Sequence, residues 1–176
     1  MIEKLTPGEL PNKINVIIEI SRGMRNKYEI DKETGILKLD RVLYSSVVYP
    51  CDYGFIPKTL CEDGDPLDVL VITRFSLLPG SLVEARPLGY LEMIDTGERD
   101  EKIIAVPVED PYFSDFKDIK DLPQAFLDEI AHFFKVYKEL QPKKWVKIIG
   151  WKSKKESERL IKKAVERYNK NVVKGN

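Results

Sequence analysis

The stretch Glu62-Asp63-Gly64-Asp65-Pro66-Leu67-Asp68, running straight into Val69-Leu70-Val71-Ile72, limits the possible folds of this chain more than any other segment. Gly64 permits backbone angles closed to other residues, while Pro66 lacks an N–H and keeps Asp65 extended, so the segment is not helical. In extended chain the side chains at i and i+2 project to one side, which lets Asp63 and Asp65 converge, and a bend after Pro66 can return Asp68 beside them. Carboxylates so crowded repel unless a cation neutralises them or one stays protonated. An all-carboxylate set suits a hard cation such as Mg²⁺, which takes a few carboxylates and completes its shell with water and substrate phosphate. An acidic surface turn is the plain alternative, because Asp, Gly and Pro all favour turns. The calcium loop of an EF-hand is excluded, since Gly64 is misplaced and the closing acid would fall on Arg74.

Most of the remaining chain reads as short strands. Residues 14–20 are rich in β-branched side chains, and alternation puts Asn15, Ile17 and Glu19 on one face, so Glu19 lies either at a wet strand end or in a polar cavity. Residues 27–31 alternate, with Lys27, Glu29 and Asp31 opposite Tyr28 and Ile30, and Thr34-Gly35 turns the chain into residues 36–39 as a hairpin. Residues 42–48 read as a further strand. Pro50 and Gly54 make residues 49–55 a constrained loop, whose Tyr49 and Tyr53 either offer hydroxyls to one site or pack at the rim of a core. Strands follow at 69–73 and 81–93, separated by Pro79-Gly80. The charged segment 95–100 is accounted for by a solvent-exposed hairpin tip, and strands at 102–108 and 144–149 complete the set.

Two helices come late. Asp121 with Gln124 resembles a capping pair, Pro123 fits a first turn, and Phe126, Ile130, Phe133 and Tyr137 recur at helical spacing up to Pro142. His132 on this helix fits a structural or interfacial position better than a catalytic one. Ser153 and Glu156 form a second capping box before a stripe of Ile161, Ala164, Val165 and Tyr168, with the many basic residues of this helix on a solvated face.

A length of 176 residues with no repeat or linker implies one domain, 1–176, of α+β but mainly β character. The formal net charge of zero gives no reason to expect nucleic acid or an anionic membrane as partner, although residues 152–176 carry nine bases against three acids. No apolar run approaches a membrane span, and Glu3 and Pro7 do not suit a signal peptide. Cys51 and Cys61 are too few for a disulfide scaffold and read as free thiols of a reducing, cytoplasmic compartment.

The segment Asp63-Gly64-Asp65-Pro66-Leu67-Asp68 matches at every position the signature D-[SGDN]-D-[PE]-[LIVMF]-D of the soluble inorganic pyrophosphatases of the first family, prokaryotic type. Around it stand Ile18-Glu19-Ile20, Lys27-Tyr28-Glu29, Asp40-Arg41, Tyr49-Pro50-Cys51-Asp52-Tyr53-Gly54, Leu78-Pro79-Gly80-Ser81, residues 95–102, Ala131-His132-Phe133-Phe134, Tyr137-Lys138 and Lys144-Trp145. The chain thus resembles that family over nearly its whole length. The resemblance implies a five-stranded closed OB-like β-barrel with extra hairpin strands and two helices packed outside, assembled as a homohexamer of two trimers. It implies a site at the barrel mouth that takes pyrophosphate and several Mg²⁺ per subunit, with Mn²⁺ or Zn²⁺ as substitutes. Position by position, Asp63, Asp68, Asp95, Asp100 and Glu29 match metal ligands and Asp65 the general base. Lys27, Arg41, Tyr53, Tyr137 and Lys138 match phosphate ligands, and Glu19, Tyr49 and Lys102 supporting positions. The departures are Asp52, where many members carry Asn, and Thr96, where some carry an acid.

These assignments place Glu19, Glu29, Asp63, Asp65, Asp68, Asp95 and Asp100 against only Lys27, Arg41, Lys102 and Lys138. So acidic a pocket repels an anion, and divalent ions must reverse its sign before pyrophosphate enters. Two other readings stay open: a metal-dependent phosphohydrolase of broader range, and an OB-type single-strand binder, against which the acids argue.

Overall fold

The computed structural model describes residues 4–31 and 33–174; Glu3, used above in reading the N-terminus, lies outside them. The β-branched runs form a ring. Strand β1 (Ile14–Ile20) pairs antiparallel with β4 (Asp52–Phe55) on one side and with β6 (Leu82–Asp95) on the other. From β4 the sheet continues antiparallel to β5 (Asp68–Val71), parallel to β7 (Glu98–Pro107), and antiparallel back to β6. Five strands therefore close on themselves without an edge, as the family resemblance implies. β8 (Val146–Ser153) extends β6 outside the ring, and β2 (Asn26–Ile30) with β3 (Leu37–Val42) forms a separate hairpin.

Continuous apolar runs, rather than strict alternation, arise because both faces of the ring strands are covered. Val69, Val71, Ile103 and Ala105 pack in one cluster with Ile161 and Ala164 of α2 (Lys154–Lys174). The alternate residues Leu70, Ile104 and Val106 join Leu127, Ile130, Phe133 and Phe134 of α1 (Gln124–Val136) in a second cluster. The helix α2 begins at the expected capping box: Ser153 N donates to Glu156 Oε2 at 2.9 Å and Glu156 N to Ser153 Oγ at 3.4 Å.

Four local expectations are corrected. The segment around Gly54 is not a loop from end to end but contains ring strand β4. Gly54 is required there for contact, since a Cβ would lie 1.9 Å from the Ile17 carbonyl oxygen. Residues 43–48 are irregular, with bends at 44–46, rather than strand, because β3 loses its ladder partner once Val42 has paired with Asn26 at the start of β2. Asp121 does not cap α1. Its carboxylate accepts from Lys117 N at 2.8 Å and Asp118 N at 2.9 Å, closing the short 3-10 turn Ile119–Asp121 instead. Finally, α1 stops at Val136, where the Tyr137 N–H bonds the Phe133 carbonyl, well before Pro142.

Candidate active site

All fourteen residues assigned to a site from the sequence line a single open cavity of about 1790 Å³ at the mouth of the ring. The parallel register of β5 and β7 sets its floor. Asp68 lies opposite Lys102, and Asp100 shares the Lys102 face two residues earlier on β7. The Lys102 ammonium accordingly sits between them, 2.7 Å from Asp100 Oδ1 and in contact with Asp68, and also donates to the Tyr53 hydroxyl at 3.2 Å. Its side chain is only 5% exposed. Burial works to lower the Lys102 pKa, but Asp100 and Asp68 outweigh it and hold the ammonium well above its ordinary value. Burial also pushes the Asp100 carboxyl up, against the pull of Lys102.

The acidic loop lies beside this floor. Gly64 takes a positive φ of 91°, and the Asp65 N–H donates to Asp63 Oδ1 at 2.9 Å, which folds the loop tightly around both acids. Asp63 and Asp65 are exposed to the cavity. Partial burial raises the Asp63 pKa, and the carboxylates of Asp100, Asp65 and Asp68 add to the rise.

A second wall comes from the end of the β6–β7 hairpin and from α1. Thr96 and Gly97 both have positive φ, 52° and 100°, as a two-residue hairpin turn requires. The tip is not simply solvated, as the sequence had suggested: the Asp95 side chain is 13% exposed and Asp100 15%. Asp95 Oδ2 accepts from the Tyr137 hydroxyl at 3.2 Å and pairs with Lys138, and Asp95 Oδ1 accepts from Thr96 Oγ1 at 2.9 Å. Despite the opposing effect of burial, Lys138 holds the Asp95 carboxyl below its usual range, while burial lowers the Lys138 ammonium. Thr96 thus orients Asp95 rather than adding a charge.

The β2–β3 hairpin forms the third wall. Lys27 faces Arg41 across it and Glu29 faces Lys38. Lys27 Nζ pairs with Glu29 and lies 3.6 Å from Asp40 Oδ2, which also accepts from Arg41 Nε at 2.6 Å. Asp40, to which the family resemblance assigns no role, therefore links the two bases, and its place next to Arg41 in sequence is the signal for it. Lys144, also without a role in that resemblance, lines the same cavity. Glu19 is 7% exposed, so of its two possible places it takes the polar cavity, where its Oε1 accepts from Ile30 N at 2.7 Å and ties the hairpin to β1. Burial pushes its pKa up to about 8, against the effect of that hydrogen bond. Tyr49 and Tyr53 are both buried, and burial raises their hydroxyl pKa values.

Asp52 does not line this cavity. It is fully buried and accepts from Arg22 N at 2.9 Å, Leu77 N at 3.0 Å and Thr73 Oγ1 at 2.5 Å, so its work is to hold loops together.

Among the described residues no three acidic, His or Cys side chains are grouped as a ready-made metal cage. Several of the candidate acids are instead paired with bases of the chain: Asp68 and Asp100 with Lys102, Asp95 with Lys138 and Glu29 with Lys27. The donor set still fits a hard ion, because every candidate ligand is a carboxylate and the lining holds eleven acids against eight bases.

Residues 16–169 match the family model described as inorganic pyrophosphatase. The inorganic pyrophosphatase of Saccharolobus solfataricus is 58% identical over 167 residues, covering 93% of this chain and 97% of that protein. That of Geobacillus stearothermophilus is 53% identical over 159 residues, covering 90% and 96%. The crystal structure of inorganic pyrophosphatase from Thermus thermophilus superposes with a TM-score of 0.92 at 45% identity, covering 96% of this chain and 98% of that one. The likeness takes in the ring and all three walls of the cavity together, and on that ground the chain belongs to the inorganic pyrophosphatase family.

Proposed function

We propose that this protein hydrolyses inorganic pyrophosphate to two orthophosphates by direct attack of water, with Mg²⁺ as the working ion. The observation that carries the reading is the excess of carboxylates in a cavity whose walls also present Arg41, Lys27 and Lys138. A compact polyanion needs the bases, and the acids admit it only when cations are bound. Asp63, Asp68 and Asp100 would hold a first ion, Asp95 and Glu29 further ones. Bound there, Mg²⁺ would neutralise phosphate charge and lower the pKa of a coordinated water towards neutrality.

The chain's own groups supply the rest. Arg41, braced by Asp40, can grip phosphate oxygens through its planar fork. Lys27 and Lys138 add point charges, and the Tyr53 and Tyr137 hydroxyls, kept protonated by burial, can donate to phosphate oxygens. Asp65, exposed to the cavity beside Asp63, would take the proton of the attacking water. Neither cysteine offers a thiolate for a covalent route, since burial pushes both thiols up. Phosphoryl transfer of this kind is chiefly positioning and charge stabilisation, which such a site suits.

The reading extends to a cytoplasmic homohexamer with His132, exposed on α1, at a subunit contact. No helix among the described residues is long and apolar enough to cross a membrane. Phosphate release from pyrophosphate and from ATP, with Mg²⁺ and after exhaustive chelation, tests the function. Rapid Mg²⁺-dependent cleavage of pyrophosphate with little action on ATP is expected. Equal rates on both substrates, or undiminished release after chelation, would overturn it.

A further inference from the structure

The loop bearing Asp63 and Asp65 carries several hydrogen bonds of its own, while Leu67 and Cys61 pack with the barrel cluster. At its base Ile56 N donates to the Leu67 carbonyl at 3.0 Å, and the Thr59 hydroxyl joins the Ile56 carbonyl, 2.6 Å away, to Leu67 N, 2.9 Å away. At its tip Cys61 N donates to the Asp65 carbonyl at 2.7 Å and Gly64 N to the Cys61 carbonyl at 3.3 Å. These bonds shape the loop but do not fix its tilt against the barrel. Asp68 has no such freedom, because it belongs to β5 and is held by Lys102.

Helix α2 adds a polar restraint from outside the loop. The Leu60 N–H donates to the Ala164 carbonyl at 3.0 Å, and the Leu60 carbonyl accepts from Arg167 Nη1 at 3.0 Å, so both backbone polar groups of Leu60 are committed to one turn of this helix. The second arm of the Arg167 fork reaches Glu62 Oε1 at 3.2 Å, next to Asp63. Behind the loop lies a second cavity of about 220 Å³, lined by Cys61, Glu62, Glu101, Arg159, Lys163 and Arg167.

From this geometry we infer that Arg167 is a positioning residue: it sets the tilt of the acidic loop and so aims the Asp63 and Asp65 carboxylates into the cavity. The inference rests on the proposed roles of those two acids. An exposed ion pair to Glu62 alone would be worth little. The planar fork bonding a backbone carbonyl and a side chain at once gives direction that a single point charge does not.

The test compares Arg167→Ala, Arg167→Lys, Glu62→Ala and, as a control on the same helix face, Arg159→Ala. Mg²⁺ binding is read by calorimetry and kcat at saturating Mg²⁺ by phosphate release. Outer-shell partners of metal ligands typically carry 10–100-fold in affinity, so Arg167→Ala is expected to weaken Mg²⁺ binding about tenfold. Because Asp65 stays displaced, saturating Mg²⁺ will not restore kcat. Arg167→Lys keeps one contact of two and should fall between, Glu62→Ala should change both readouts by less than about threefold, and Arg159→Ala should match the parent. Parent values of both Mg²⁺ affinity and kcat in Arg167→Ala would overturn the inference; should that variant not fold, parent values in Arg167→Lys would do so. A parent protein that neither binds Mg²⁺ nor cleaves pyrophosphate would overturn the proposed function itself.

Discussion

Replacing Lys102 with Met keeps the length and apolar stem of the side chain but removes the ammonium that lies between Asp68 and Asp100. In metal-free protein the variant leaves two acids without their shared cation, one of them 15% exposed and the other 28%. Breaking a buried pair usually costs about 3–5 kcal/mol, and the partial hydration of Asp68 argues for the lower end, about 3 kcal/mol. For a chain of this size each kcal/mol moves Tm by about 2–4 °C, so Lys102→Met should melt about 6–12 °C lower than the parent in chelating buffer. Mg²⁺ changes the comparison. An ion held by the same carboxylates replaces the lost charge. The parent gains from the ion as well, but there Lys102 competes for the two acids, so Mg²⁺ should bind the variant more tightly, and a tenfold difference in Kd would narrow the gap by about 1.4 kcal/mol. The gap between variant and parent should therefore shrink by about half in saturating Mg²⁺, measured by calorimetric melting at one fixed protein concentration. Equal Tm values in chelator, or a gap that Mg²⁺ leaves unchanged, would refute the idea that Lys102 and the divalent ion neutralise the same acids.

Two further outcomes follow from the site. Asp65→Asn should bind Mg²⁺ as the parent does in a calorimetric titration yet lose about a hundredfold or more in kcat, the usual reach of a lost general base; near-normal turnover would remove Asp65 from that role. Glu19→Gln keeps an oxygen for Ile30 N but abolishes a titration that burial has moved from 4.5 to about 8. A carboxyl raised in this way stabilises the fold fully below its unfolded pKa and loses that contribution as pH rises through the folded one. In chelating buffer the parent should lose stability relative to Glu19→Gln between about pH 5 and pH 8, and parallel denaturation curves over that range would contradict the placement of Glu19.

What could be read in the sequence was the part governed by neighbours along the chain. The β-branched run of β1, the Ser153–Glu156 cap and the tight acidic loop each follow from local spacing, and the family pattern then gathered residues that spacing alone could not join. What escaped depends on contacts distant in sequence. Gly54 looks like a turn residue until β1 and β5 are seen to pair on either side of β4, with the carbonyl of Ile17 too close for any Cβ there. Asp95 sits at a hairpin tip that looks solvated until Tyr137 and Lys138 arrive from α1. Arg167 resembles any other base on a solvated helix, because nothing near it in sequence announces the carbonyl of Leu60. Asp52 could be placed near the site by its neighbours Tyr49 and Tyr53, yet alternation along β4 sends it away from Tyr53, to where Arg22 and Thr73 meet it.

The central claim is that this cavity is too acidic for its substrate until cations reverse its sign. Pyrophosphate binding to the Asp65→Asn protein, followed by calorimetry with and without Mg²⁺, addresses the claim without interference from turnover. The account predicts no measurable binding in chelating buffer and clear saturable binding once Mg²⁺ is present. Equally tight binding in the two conditions would contradict it.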